Sequence, residues 1–144
     1  MPPQKDSVIW PNREGLGKVL GDLELFLMEF IWAWPGQFPL TVKDVHEAVS
    51  DQRPLAYTSV LSTMGNLVKK GCLRVEKSTF AHRYWPACTR REYEEQVLGQ
   101  VIGSFVRDFK QPALQHLVGS LEAEDPALLD ALLDELQRRR REQP

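Results

Sequence analysis

The 144-residue chain reads as a mostly α-helical fold carrying one small β-hairpin. Two changes of hydrophobic period lead to that reading. Apolar residues recur at helical spacing from Leu23 to Trp34 and again from Val60 to Val68. The pattern alternates between Cys72 and Trp85, then returns to helical spacing from Tyr93 onward.

The first helix is set by Leu23, Phe26, Leu27, Phe30, Ile31 and Trp34, which fall on one face of a 3.6-residue period. Gly21-Asp22 offers its start and Pro35-Gly36 its stop. Residues 1–20, with Pro2, Pro3, Pro11, Gly15 and Gly17, read as a flexible N-terminal arm without a core of its own. Its Lys5, Arg13 and Lys18 read first as a solvated tail and second as contacts to a phosphate backbone.

Thr41-Val42-Lys43-Asp44 opens a second, short helix. Thr41 is placed to cap it, and Asp44 lies in its positive first turn. Val42, Val45 and Val49 form its buried side, and Pro54 must lie beyond its end. A third helix is expected over 57–70, with Val60, Leu61, Met64, Leu67 and Val68 as its apolar stripe. Gly71 stands where a left-handed C-terminal residue belongs. The opposite face carries Thr58, Ser59, Ser62, Thr63, Asn66, Lys69 and Lys70, with no acidic residue over the whole helix.

Residues 72–76 and 80–85 then read as two strands around Lys77-Ser78-Thr79, closed by Pro86. Three helices followed by a hairpin is the winged-helix order. The expected winged helix-turn-helix domain covers residues 21–88.

Residues 89–144 form the expected helical dimerisation region. Thr89-Arg90-Arg91-Glu92 is a capping box, and Asp125-Pro126 opens a last helix. Between and after them run Tyr93, Val97, Val101, Phe105 and Phe109, then Leu114 and Leu117, then Leu128, Leu129, Leu132 and Leu133. Short helices cannot bury that many large apolar groups alone, so a second copy in a twofold dimer is expected.

With 42% hydrophobic and 26% charged residues, the chain has the make-up of a folded protein. No apolar run approaches the roughly 20 residues of a membrane-crossing helix. No signal-peptide core follows Lys5, so a cytoplasmic protein without membrane insertion is expected. The net charge of −2 conceals a split. Residues 1–91 hold 12 Lys+Arg against 9 Asp+Glu, a net of +3, whereas residues 92–144 hold 6 against 11, a net of −5. The positive half is the one with the hairpin and the acid-free helix.

A major groove admits one α-helix whose exposed side chains bond base edges or meet thymine methyls. Tyr57, Thr58, Ser59, Ser62 and Thr63 are the expected base-reading set, short enough to let the helix axis approach. Without arginine for bidentate guanine contacts, they suit an A·T-tolerant site. Lys43, Arg53, Asn66, Lys69, Lys70, Arg74, Lys77, His82 and Arg83 are the expected backbone contacts, which carry affinity and not sequence information.

Other readings are weaker. Trp32, Trp34, Tyr84 and Trp85 suit a core better than a base-stacking platform. His46 is expected at the surface or a hinge, His116 in the tail, and Arg138 to Arg141 in solvent at a helix C-terminus. Cys72 and Cys88 make no disulfide scaffold and read as reduced packing residues. Together with His82 they match no zinc spacing, so neither a metal nor another cofactor is expected. No nucleophile–base pair, carboxylate dyad or phosphate loop points to an enzyme.

Several segments resemble the penicillinase-repressor family (BlaI, MecI, CopY): Leu20-Gly-Asp-Leu-Glu24, Ile31-Trp32, Leu55-Ala-Tyr-Thr-Ser-Val60, Asn66-Leu-Val-Lys-Lys-Gly-Cys-Leu73 and Arg83-Tyr-Trp-Pro86. The likeness spans residues 20 to about 136. It implies a homodimeric winged-helix repressor that binds double-stranded DNA at inverted-repeat operators. In the β-lactam branch it also implies a sensor-linked protease that releases the DNA by cutting the dimerisation region. By position it puts Tyr57, Thr58, Ser59 and Thr63 on the recognition surface. The chain departs from the family pattern at Gly65 and Asn66, and at Thr79-Phe80, where a Gly-Arg pair is usual in the wing. It also lacks the Cys-rich tail of the copper-responsive branch. The alternative is a winged-helix module that binds protein and not DNA.

Overall fold

The computed structural model describes residues 9–143. Pro2, Pro3 and Lys5 of the expected arm lie outside them. α1 spans Asp22–Trp32, α2 Val42–Val49 and α3 Tyr57–Lys69. Each end follows from local chemistry. The Glu24 carboxylate accepts the Gly21 amide at 2.7 Å and so satisfies an otherwise orphaned donor at the start of α1. Thr41 and Asp44 form a complete reciprocal box at the start of α2, at 3.1 and 2.9 Å. α3 ends in a Schellman motif: Gly71 takes φ +81°, its amide bonds Val68 O, and the Cys72 amide bonds Leu67 O. α1 stops before Trp34, which its periodicity places on the apolar stripe; the Trp34 ring instead leans on Phe30 at 5.6 Å.

The hairpin is shorter than expected. β1 is Leu73–Glu76 and β2 is Arg83–Pro86, paired antiparallel with Leu73 opposite Pro86 and Glu76 opposite Arg83. The connection therefore takes in Lys77 through His82. Leu40 bonds Tyr84 in both directions, at 2.9 and 2.8 Å, so the residue before the α2 cap adds a bridge on the free edge of β2.

By residue contacts the chain divides into two units, one up to Leu98 and one from Gly99. The core of the first unit is Leu27, Met28 and Ile31 of α1, Val45 and Val49 of α2, and Val60, Met64 and Leu67 of α3, with Cys72, Leu73 and Tyr84 behind. Each such side chain contributes about 1.5–3 kcal/mol by leaving water. This unit reaches beyond 21–88 on both sides. Before α1, a short 3-10 turn over Gly15–Lys18 and the residues after it bury Leu16 and Leu20 in the core, so the end of the expected arm is packed structure. After the hairpin, α4 (Arg90–Asp108) begins with the expected Thr89–Glu92 box, and its Tyr93 is buried in the same core.

In the second unit, α4 runs out at Asp108, and α5 (Lys110–Glu124) and α6 (Ala127–Glu142) follow. Pro112 has no amide for the Asp108 carbonyl, which explains why the break falls at Phe109. The Asp125 carboxylate accepts the Ala127 amide at 3.0 Å at the start of α6. Among the described residues, neither α5 nor α6 has a buried residue.

Candidate nucleic-acid interface

The helix-turn-helix is α2, the turn 50–56, and α3. His46 of α2 spans that turn. Its Nε2 lies 2.8 Å from Leu55 O, and its ring meets Tyr57 edge-on at 5.7 Å. The first turn of α3 thus rests against the preceding helix. Ala56 stands at the N-cap with no side-chain acceptor, which leaves the first-turn amides and the positive helix end to an outside anion.

Thr58, Leu61, Ser62, Asn66 and Lys69 are exposed along one side of α3, with Tyr57 exposed at its start and Ser59 half-buried at the edge. They follow the i, i+3/i+4, i+7/i+8 rhythm of a single face. Two residues differ from expectation. Thr63 is 7% exposed and belongs to the buried side, while Leu61 is 44% exposed and belongs to the outer face. Thr63 stands one turn from Val60 and Leu67, both in the core, and so shares their side of α3. Lys70, two turns after Thr63 on the same side, reaches back over the segment before α1. Its Nζ donates to Val19 O at 3.0 Å and to Glu24 Oε1 at 2.7 Å. Lys70 thus lies on the inward flank with Thr63, and Leu61 on the face that looks out. Thr63, expected among the base-reading residues, is not on the exposed face of α3, and Lys70, expected at the phosphates, is tied inward to Val19 and Glu24.

The other expected backbone contacts fall into two groups. Lys69, Asn66, Lys77, His82 and Arg83 are exposed. Lys43 is exposed and 4.0 Å from Glu47. Arg74 lies over the Trp85 ring at 4.9 Å, which orients its guanidinium along the hairpin. Arg53 is tied back to α1, 3.3 Å from Asp22 and 5.4 Å from the Phe26 ring centre, so it braces the turn. Arg13 of the arm is likewise engaged, stacked on Trp10 at 4.2 Å, and Lys18 Nζ bonds Arg13 O.

The aromatic cluster is structural. Tyr84 is buried, and Trp32 Nε1 donates to Cys88 O at 3.0 Å. Burial pushes the Cys72 thiol up to about 12, partly offset by its hydrogen bond with Tyr93. Burial raises Cys88 as well. Both are protonated packing groups at neutral pH, unsuited to act as thiolates. Among the described residues, no three His, Cys, Asp or Glu side chains gather as a metal site. No helix among them is long and apolar enough to cross a membrane.

In the expected dimerisation set, Tyr93 is buried in the core of the first unit and Val97, half-buried, packs against it. Val101, Leu129 and Leu132 are half-buried. Phe105, Phe109, Leu114, Leu117, Leu128 and Leu133 are between 39% and 56% exposed.

The Penicillinase repressor family model matches residues 20–135. The chain is also 35% identical over 122 residues to Transcriptional regulator BlaI of Mycobacterium tuberculosis, in strains CDC 1551 / Oshkosh and ATCC 25618 / H37Rv; the match covers 82% of this chain and 85% of the relative. The chain belongs to the penicillinase-repressor family, a family of transcriptional regulators and not of enzymes.

Proposed function

We propose that the protein is a DNA-binding repressor acting as a homodimer on inverted-repeat operators. Each α3 enters a major groove, and the two grooves are about 34 Å apart. Thr58, Ser62 and Tyr57 meet base edges, with Leu61 beside them as the group for a thymine methyl. Lys69, Asn66, Lys43 and the hairpin's Arg74, Lys77, His82 and Arg83 meet phosphates. The observation that carries this reading is the outer face of α3: two hydroxyl side chains, an amide and a lysine, with no carboxylate anywhere on the helix.

The homodimer is supported by the apolar side chains that α4, α5 and α6 leave in water. A lone chain gains nothing from them, and a twofold partner would cover them. Release of DNA would follow proteolytic cutting within this region, which separates the pair and removes the gain of binding two half-sites at once.

Binding of the full-length protein to a duplex selected from a randomised library, measured at several salt concentrations, tests the reading. Thr58→Ala and Ser62→Ala should relax base preference, by about 1–3 kcal/mol for each base-edge interaction removed. Lys69→Ala should weaken all duplexes alike and lower the salt slope by about 1. The second reading, a protein-binding module, is favoured by Leu61 on the same face. It wins if no duplex is enriched and the protein binds all DNA equally weakly.

A further inference from the structure

Phe80 is 99% exposed, far above any other large hydrophobic residue of the first unit. It stands in the connection between β1 and β2, beyond the last strand pair Glu76–Arg83. The loop that carries it is held. Ser78 Oγ donates to Ala81 O at 2.7 Å and accepts the Ala81 amide at 3.2 Å, closing a small ring of chain with Phe80 at its tip. A phenyl ring is therefore presented to water on a braced turn, and most of the ordering cost is met before any partner arrives.

Its surroundings indicate which partner. Lys77, His82 and Arg83 flank the loop and are exposed, and Glu76 is the one acidic residue between Leu73 and Arg91. An apolar tip between cations fits a polyanion with an apolar interior. A duplex offers phosphates along the rim of its minor groove, about 6 Å wide, and stacked bases at the floor. The hairpin leaves α3 through the Gly71 turn and is bridged at Tyr84 to the residue before the α2 cap. It therefore stands beside the helix-turn-helix in one unit. A duplex with α3 in its major groove has a minor groove alongside, and the hairpin is the element that adjoins α3.

We propose that Phe80 is a wedge that enters the minor groove next to each half-site, partly unstacks one base step and bends the operator. This rests on the DNA-binding reading above. Such wedges act best at pyrimidine–purine steps, which kink most easily, so Phe80 would add a preference at positions that α3 never touches.

The test uses the full-length protein and its library-selected duplex, with 2-aminopurine placed at successive steps outside the half-site. The wild type should raise fluorescence at one step and shift mobility in a circular-permutation bending assay. Phe80→Ala should abolish both and weaken binding about tenfold, the size expected for taking one apolar group out of the groove. Its salt slope and its preference within the half-site should stay unchanged. Phe80→Leu, still an apolar wedge, should keep part of each signal. Folding is not at risk, since the ring is bare; an unchanged circular dichroism spectrum and melting midpoint check that. The wedge is overturned if Phe80→Ala binds and bends like the wild type while the wild type is sequence-specific, an outcome that leaves the repressor reading standing. It is also overturned if the substitution instead lowers the sedimentation coefficient of the free protein, which makes Phe80 a contact between copies. If the wild type enriches no duplex, both readings fall together.

Discussion

The unit up to Leu98 and the unit from Gly99 place their apolar side chains in opposite ways. In the first, helices α1 to α3 and the hairpin close around side chains such as Leu20, Leu27, Val45 and Leu67, all at 0% exposure. In the second, Phe109, Leu114 and Leu133 are each more than half exposed. A core gains its free energy within one chain, whereas an open apolar face gains it only on meeting another. The first unit is therefore expected to be stable at any concentration, and the second to depend on association.

The largest effect should come from setting one side chain of each kind against the other. Leu27→Ala should destabilise the first unit by about 2–5 kcal/mol at every protein concentration. Leu133→Ala should do little to a dilute chain but should lower the association constant. Denaturant titration at two concentrations, with sedimentation, separates the two; an equal, concentration-independent loss from both would erase the contrast.

Next is the lysine pair. Lys70→Ala should cost about 1.5–3 kcal/mol of stability, because it strips a nearly buried Glu24 carboxylate of its cation. Lys69→Ala should leave the melting midpoint unchanged and weaken DNA binding. The reverse pattern would mean that α3 is rotated from the orientation described.

The third test is alkaline. Cys72 is held near 12 in the folded protein against an ordinary value of 9.0, so its protonated form is favoured by folding. The stabilisation is complete below pH 9 and is lost as pH rises toward 12. Burial also raises Tyr93, which adds to the same loss. Cys72→Ala should flatten this part of the pH–stability curve.

The smallest effect is a gain. A Cβ on Gly65 would meet nothing within 4 Å, so Gly65→Ala should stabilise α3 by about 1 kcal/mol. If DNA binding weakens at the same time, the bare backbone there is a point of close approach to the duplex.

What the sequence made legible was local. The Thr41–Asp44 and Thr89–Glu92 boxes and the Gly71 turn could be located because capping joins residues three or four apart. Leu61 and Thr63 could not be sorted, because the side of α3 that turns inward depends on packing against residues far away in the chain, and Thr63 shares that side with Val60, Met64 and Leu67. The same holds for residues 15–20. Their glycines, with the prolines before them, read as a tail, and only the closed fold provides the space that Leu16 and Leu20 fill. On the exposed face of α3, polarity alone picked out Thr58, Ser62 and Tyr57 but carried no signal for an outward-facing leucine.

That early segment has a practical bearing. The Trp10 amide bonds Lys18 O, and the Trp10 ring lies 5.9 Å from Lys70 Nζ. A truncation designed on α-helix boundaries, starting at Asp22, would delete the roof over the far end of α3 and the two leucines, Leu16 and Leu20, that fill the core beneath it.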